Sequence, residues 1–414
     1  MKILYAVQRY HDSIVGGSEN ACRQFAERLS DRGHAVEVLT SCALNYRTWS
    51  NDLTPGTSEL NGVEVHRLPT ARERGSSSRH EQLFARSFSG PRPLSLSEQR
   101  EWTHATGPNL QGYERWIRHN ASRFDVAIFM TYLYGTTTRG VPAAKGLVPV
   151  VLQPTAHDEA PIWLSQFDFI FKLADALLYF TPEEQHFVAE RFRKVAKGSV
   201  VGLGFNSPSP EQEPLHRLPK PYLIYVGRWD QAKGVERLTR YIGAVRQELG
   251  VDLHLVTVGE LPVGDVWPDW VRHLGFLSER AKARAIRGSL ALVQPSYFES
   301  FSIVLFEAWS QGRPVLVQER CAVLEGQVRR SGGGFTYRSE STFVGAVQRL
   351  LLNVDLGNTT GETGREFVKQ NYSWPRVLGD LEEALESVCR RKGTDGRPVR
   401  PVQLSKVEDG KGGA

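Results

Sequence analysis

The sequence predicts an α/β protein of two doubly wound, Rossmann-like domains facing each other across a cleft. Three observations carry this. Short apolar runs alternate with stretches of helical spacing through both halves of the chain. The first run, Lys2 to Val7, leads through a glycine-containing loop into a helix and a second apolar run, which is a βαβ unit. A proline-rich joint, Ser207-Pro-Ser-Pro continuing through Pro214 and Pro219, separates the halves and sets the domain boundary, 1–205 against 206–372. At 414 residues the chain is long enough for two cores.

In the first half, Gly16-Gly17-Ser18-Glu19 follows the opening strand. No G-x-G-x-x-G is present, which disfavours a dinucleotide site, and the glycines allow backbone to approach a ligand at the helix N-terminus. Ala21, Phe25, Ala26 and Leu29 share one helical face; Gly33 stops that helix, and Ala35 to Thr40 is the second strand. Val63 to Leu68 is another. Thr70 to Thr106 is rich in Arg, Ser, Gly and Pro and is expected to be a mobile insertion, either a plain surface loop or an acceptor-binding flap. Asp125 to Met130, Val148 to Leu152 and Ala176 to Phe180 read as buried strands. Between the last two, His157 lies with Asp158 and Glu159 in a loop at a strand's carboxyl end, where open α/β sheets bind ligands. Thr181-Pro-Glu-Glu is a helix start with Thr as N-cap and Pro at the first position. Val200 to Leu203 is expected as a short strand.

The second half opens with strand Tyr222 to Val226. A loop holding Gly227, Arg228, Lys233 and Gly234 follows, then a helix through Leu249. Two cations before a helix N-terminus suit a diphosphate: Arg grips oxygens in a fork, Lys acts as a compact charge. His254 to Val258 and Val271 to Leu274 are strands, and Glu279 to Arg287 is a helix. Strand Leu290 to Val293 then leads into Pro295 to Pro314, with a helix from about Ile303 to Gln311. Glu299 falls in the strand-to-helix loop and Glu307 inside the helix. The amides near Phe301, Ser302 and Ile303 lie at its N-terminus, a ready phosphate site. A carboxylate on either side suits a nucleotide-sugar, with Glu307 accepting from ribose hydroxyls and Glu299 from sugar hydroxyls. Val315 to Val317 and the Gly332 to Tyr337 turn supply two more strands. Helices follow over Glu340 to Leu352 and from Tyr372-Ser-Trp-Pro375 to about Val388, and Gly393 to Ala414 is expected to be a disordered tail.

The runs Gly227-Arg-x-x-x-x-Lys-Gly234 and Pro295-Ser-x-x-Glu-x-Phe-x-x-x-x-x-Glu-Ala-x-x-x-Gly-x-Pro314 resemble the signatures of the large retaining GT-B glycosyltransferase family, family 4 or group 1. The resemblance covers most of residues 1 to 390 and is tightest from Gly227 to Pro314. Ser300 and Ser302 depart from it, since the family commonly has Gly or Pro at the first and Gly at the second. The resemblance implies a GT-B fold and transfer of a sugar from a nucleoside diphosphate to an acceptor, with retention and without a metal. It places Gly16 and Gly17 against the donor phosphates, Arg228 and Lys233 on the diphosphate, and His157 and Glu299 near the sugar. It also places Gly275, Phe276 and Leu277 against the base and packs helix 373–390 back on the first domain. The sequence contains no Asp-x-Asp and no clustered metal ligands, and no side chain stands out as a covalent nucleophile. Two other readings remain open: a nucleotide-sugar epimerase, and a nucleotide-sugar-binding protein without transfer activity.

Apolar content of 40% and charge of 23% are ordinary for a globular protein. The net charge is +5, but residues 390–414 carry seven Lys/Arg against three Asp/Glu, so the body is nearly neutral and nucleic acid is not an expected partner. Donor and acceptor are the expected partners; the acceptor is a glycan, a lipid-linked molecule or a small molecule. Cys22, Cys42, Cys321 and Cys389 are scattered and read as free thiols. No run approaches the roughly 18 apolar residues of a membrane span, and Met1 to Val7 does not read as a signal peptide. The expected location is cytoplasmic, with peripheral contact at the inner membrane face open through the basic tail.

Overall fold

The central strands of both sheets are buried almost end to end, as parallel sheets covered by helices on both faces require. β1 (Lys2–Ala6), β2 (Ala35–Ser41), β3 (Gly56–Leu60), β4 (Val63–Leu68), β5 (Val126–Met130), β6 (Val150–Gln153), β7 (Ala176–Tyr179) and β8 (Gly198–Val200) form one sheet in the order 3-4-2-1-5-6-7-8. β9 (Tyr222–Val226), β10 (His254–Val258), β11 (Val271–His273), β12 (Ala291–Gln294), β13 (Val315–Gln318) and β14 (Gly334–Tyr337) form a second, in the order 11-10-9-12-13-14. Every pairing is parallel except the β3–β4 hairpin. The strand order reverses between β1 and β5 in the first sheet and between β9 and β12 in the second. Such switch points open a crevice at the carboxyl ends of the strands. The computed structural model describes residues 1–14, 16–71, 82–83, 85, 93–206, 218–229, 233–260 and 267–394.

Several boundaries differ from the sequence reading. The strand expected over Val200 to Leu203 is β8, two residues earlier. The stretch 70–106, expected to be mobile, contains a helix at Leu96–Thr106. A full capping box starts it, with Ser95 accepting from the Glu98 amide and the Glu98 carboxylate accepting from the Ser95 amide. The other residues called part of a flap (72–81, 84 and 86–92) lie outside the described residues, as do the joint at 207–217 and the tail from 395. The last helix runs from Trp374 to Thr394, past Val388. It packs on helix Gly17–Asp31: Arg32 grips Glu382 in a fork at 2.8 and 2.7 Å, and the Arg28 guanidinium lies 4.0 Å from the Trp374 ring.

Helix Val354–Asn371 was not anticipated, because Gly357, Gly361 and Gly364 break its helical signal. Its glycines are needed for close approach. A Cβ at Gly361 would stand 2.1 Å from the Gly312 carbonyl oxygen, and one at Gly364 would stand 2.2 Å from the Trp309 ring. This helix therefore lies directly on helix Ile303–Ser310 and holds it against the sheet. Phe301, Phe306 and Trp309, all buried, complete that packing, and each ring removed from water stabilises by about 1.5–3 kcal/mol.

Candidate active site

The loops after β9 and β12 flank the switch point of the second sheet, and an ion pair joins them. Lys233 Nζ donates to Glu299 Oε1 at 2.7 Å, with Glu299 the more buried partner. Gly234 caps the following helix in the left-handed conformation, φ 71°. Only glycine fits there, since a Cβ would lie 2.8 Å from the Pro295 carbonyl oxygen of the facing loop. Residues 230–232 of this loop lie outside the described residues. Arg228 reaches away from the pair, across to the first domain. Its Nη1 donates to the Tyr46 hydroxyl, and its guanidinium lies 5.2 Å from the Tyr46 ring centroid.

Helix Ile303–Ser310 starts behind Glu299. Its N-cap, Ser302, is left-handed at φ 65° and ψ 70°, where a non-glycine residue costs roughly 1–2 kcal/mol. The departure from glycine at this position is thus a strained one. Gln294 supports the turn, its Nε2 lying 3.3 Å from Ser302 Oγ and 3.4 Å from Glu299 Oε1. The Phe301 side chain belongs to the core, so only backbone there can face a ligand. Ile303 is the first helical residue.

Glu307 is mostly buried in this helix, its side chain 12% exposed, and a residue absent from the sequence reading meets it. Lys282 Nζ, on helix Glu279–Arg287, lies 2.9 Å from Glu307 Oε1 and 2.8 Å from Glu279 Oε1. Burial pushes the Glu307 carboxyl above its ordinary range, and Lys282 pulls it back. Burial opposes the Lys282 charge, but Glu307 and Glu279 outweigh it and raise its pKa. Glu307 Oε2 is buried with no hydrogen-bond partner, an acceptor left over. Gly275 follows β11, left-handed at φ 66°, and its carbonyl accepts from the Gly259 amide at 2.9 Å. Phe276 beside it is exposed and Leu277 is packed at the core's edge.

In the first domain, Gly16 caps helix Gly17–Asp31 with φ −66°, so the left-handed freedom of glycine is not used there. Its missing Cβ makes room for Glu19, whose Oε2 would lie 2.3 Å from it. Arg9 Nη2 meets Glu19 Oε1 at 2.6 Å in a buried pair, and the Arg9 guanidinium lies 5.2 Å from the same Tyr46 ring that Arg228 touches. Gly17 faces open space. Arg9 and Tyr46 escaped the sequence reading because neither lies in a recognisable spacing; only the fold brings them together.

His157 follows β6 and faces the loop after β12, its ring 5.8 Å from that of Phe298. Its Nδ1 is buried without a partner. Asp158 accepts from Trp163 Nε1 and Glu159 from the Tyr132 hydroxyl, both at 2.7 Å, so these neighbours brace the loop. Among the described residues one trio, Glu37, Glu64 and His66, is close enough to hold a metal ion. It was invisible in the sequence because β2 and β4 contribute separately. It lies within the strands, away from the carboxyl-end loops, and Arg123 already pairs with Glu37. No helix among the described residues is long and apolar enough to cross a membrane.

Residues 220–353, which hold both signature loops, match the family model described as glycosyl transferases group 1. An uncharacterized glycosyltransferase of Methanocaldococcus jannaschii is 23% identical over 95% of this chain and 100% of its own length. Sucrose-phosphate synthase from Thermosynechococcus elongatus superposes with a TM-score of 0.70 at 18% identity, covering 94% of this chain and 99% of that one. Anabaena HepE in complex with UDP-glucose superposes with a TM-score of 0.65 at 14% identity, covering 94% and 100%. The chain has the GT-B fold of these glycosyltransferases, and its relatives support a glycosyltransferase.

Proposed function

We propose that the protein transfers a sugar from a nucleoside diphosphate donor to an acceptor, with retention at the anomeric carbon and without a metal ion. The observation that carries this is the Lys233–Glu299 pair, set at a switch point in front of a helix N-terminus. A cation and helix amides beside a carboxylate offer one group for a diphosphate and one for sugar hydroxyls. The HepE structure's complex with UDP-glucose supports a nucleotide-sugar as the ligand class.

In this reading Arg228, Lys233 and the helix start stabilise charge on the leaving diphosphate. Glu299 orients the sugar, and the spare oxygen of Glu307 takes ribose hydroxyls. Gly275, Phe276 and Leu277 border the base, and Gly16 and Gly17 border the phosphates from the opposite domain. His157 lies at the sugar end, and the departing phosphate takes the acceptor proton on the same face. The acceptor is a glycan, a lipid-linked molecule or a small molecule, and the work is done in the cytoplasm. A thermal-shift screen of UDP-, GDP- and ADP-sugars tests this. A cognate donor at 100 times its dissociation constant stabilises the fold by about 2.7 kcal/mol; no shift with any of them counts against the reading.

A further inference from the structure

The His157 ring is held only loosely, with Nε2 3.7 Å from Glu159 Oε1 and the Phe298 ring 5.8 Å away. Its Nδ1 is unpartnered, and Thr155 two residues earlier is left-handed at φ 52°, a conformation that persists only when its surroundings enforce it. The enforcing group comes from elsewhere. Glu184, 1% exposed, accepts from the Ala156 amide with Oε1 at 2.6 Å and from the Phe180 amide with Oε2 at 2.8 Å. An ordinary capping box would turn this carboxylate back onto the N-cap amide of its own helix, Thr181. Here it reaches the residue before the cap and crosses to the loop after β6. Its own amide donates to Thr181 Oγ1 at 3.1 Å, and that hydroxyl donates to the Ser300 carbonyl at 3.2 Å, next to Glu299.

We propose that Glu184 is a positioning residue for the transfer reaction, fixing the His157 loop against the donor loop at Ser300. The inference rests on the proposed role of His157. One buried side chain thus joins three segments: the loop after β6, the turn after β7 and, through Thr181, the strand-to-helix loop of the other domain. Burial pushes its carboxyl up to about 8, while the two backbone N–H groups pull it back, and such a group is kept where its geometry is needed. Glutamine cannot replace it, because the amide nitrogen would face one of the two backbone N–H donors.

The test compares Glu184→Gln, His157→Ala and the double variant. Glu184→Gln is expected to lower kcat roughly 10- to 100-fold, as a misplacement of about 1 Å does. It should leave the affinity for free nucleoside diphosphate within about twofold, because Arg228, Lys233 and Glu307 of the other domain hold that half of the ligand and Glu184 touches none of them. In the His157→Ala background Glu184→Gln should add less than about twofold, since residues acting as one unit are not additive. Losses that multiply, or an unchanged kcat in Glu184→Gln, overturn the proposal while the role of His157 stands. A His157→Ala enzyme with full kcat overturns the His157 assignment and the proposal with it. Amide exchange provides a second reading: Ala156 should exchange slowly in the native enzyme and fast in Glu184→Gln. Fast exchange at Ala156 in the native protein overturns the proposal even where Glu184→Gln does not fold.

Discussion

Lys233 and Glu299, 66 residues apart, meet at 2.7 Å and tie together the two loops that flank the switch point of the second sheet. The pair is partly open to solvent, so its contribution to stability is at most about 1 kcal/mol. Its importance in the proposed reaction is chemical. Lys233→Ala should lower turnover by roughly 100-fold or more, as loss of transition-state charge stabilisation does, with little change in melting temperature. The same holds for Arg228→Ala. Steady-state kinetics with a cognate donor checks both, and a near-normal rate in either removes that residue from the diphosphate clamp.

Glu299 and Glu307 should separate by ligand half. Glu307 has one oxygen on Lys282 and one unpartnered, so under the proposed role Glu307→Gln should weaken hydrogen bonds from ribose worth roughly 1.5–3 kcal/mol each. Free nucleoside diphosphate should bind worse to it. Glu299→Gln should leave that affinity nearly intact and cut turnover, because the sugar is misplaced. Calorimetry with the free nucleotide decides: equal weakening in both variants refutes the division.

Lys282 is the partner that offsets the burial of Glu307, which pushes its carboxyl up. Lys282→Met leaves a buried carboxylate without compensation and should cost about 3–5 kcal/mol. A Lys282→Met, Glu307→Leu double variant should regain much of this while losing nucleotide binding. Denaturant titration is the measurement; a fully stable Lys282→Met protein shows that the pair is not coupled in the way its geometry implies.

What was legible in the sequence is what burial writes into it. Strands covered on both faces read as apolar runs, so β1, β5, β9 and β12 stood out, and Gly312 with Pro314 marked the end of the site helix. What stayed hidden depended on contacts between distant segments. β3 is a polar edge strand whose burial pattern is almost wholly exposed, and it carries no apolar signal. Helix Val354–Asn371 spends three positions on glycine so that Gly312 and Trp309 can approach, which erases its helical pattern. Its signal was available only in the polar residue at its N-cap: Asn353 accepts from the Leu356 amide. Glu184 was visible as part of a helix start, yet its reach to Ala156 crosses 28 residues. Lys282, Tyr46 and Arg9 belong to no spacing at all, and the first acquires its role only when two helices pack side by side.

The proposal assigns the diphosphate charge to Arg228, Lys233 and a helix start, and so predicts metal independence. Transfer activity should persist in excess EDTA. Loss on chelation with rescue by Mg²⁺ or Mn²⁺ would place a cation in the cleft and contradict that assignment.

The most direct test of the central claim is release of free nucleoside diphosphate from a panel of nucleotide-sugars, read by mass spectrometry with native enzyme and Lys233→Ala side by side, in the presence of mixed acceptors. The account predicts that one donor class is consumed, that a glycosylated product of the α or β configuration of the donor appears, and that Lys233→Ala slows its formation roughly 100-fold or more. Consumption that proceeds equally in Lys233→Ala, or a product with inverted configuration, would contradict it.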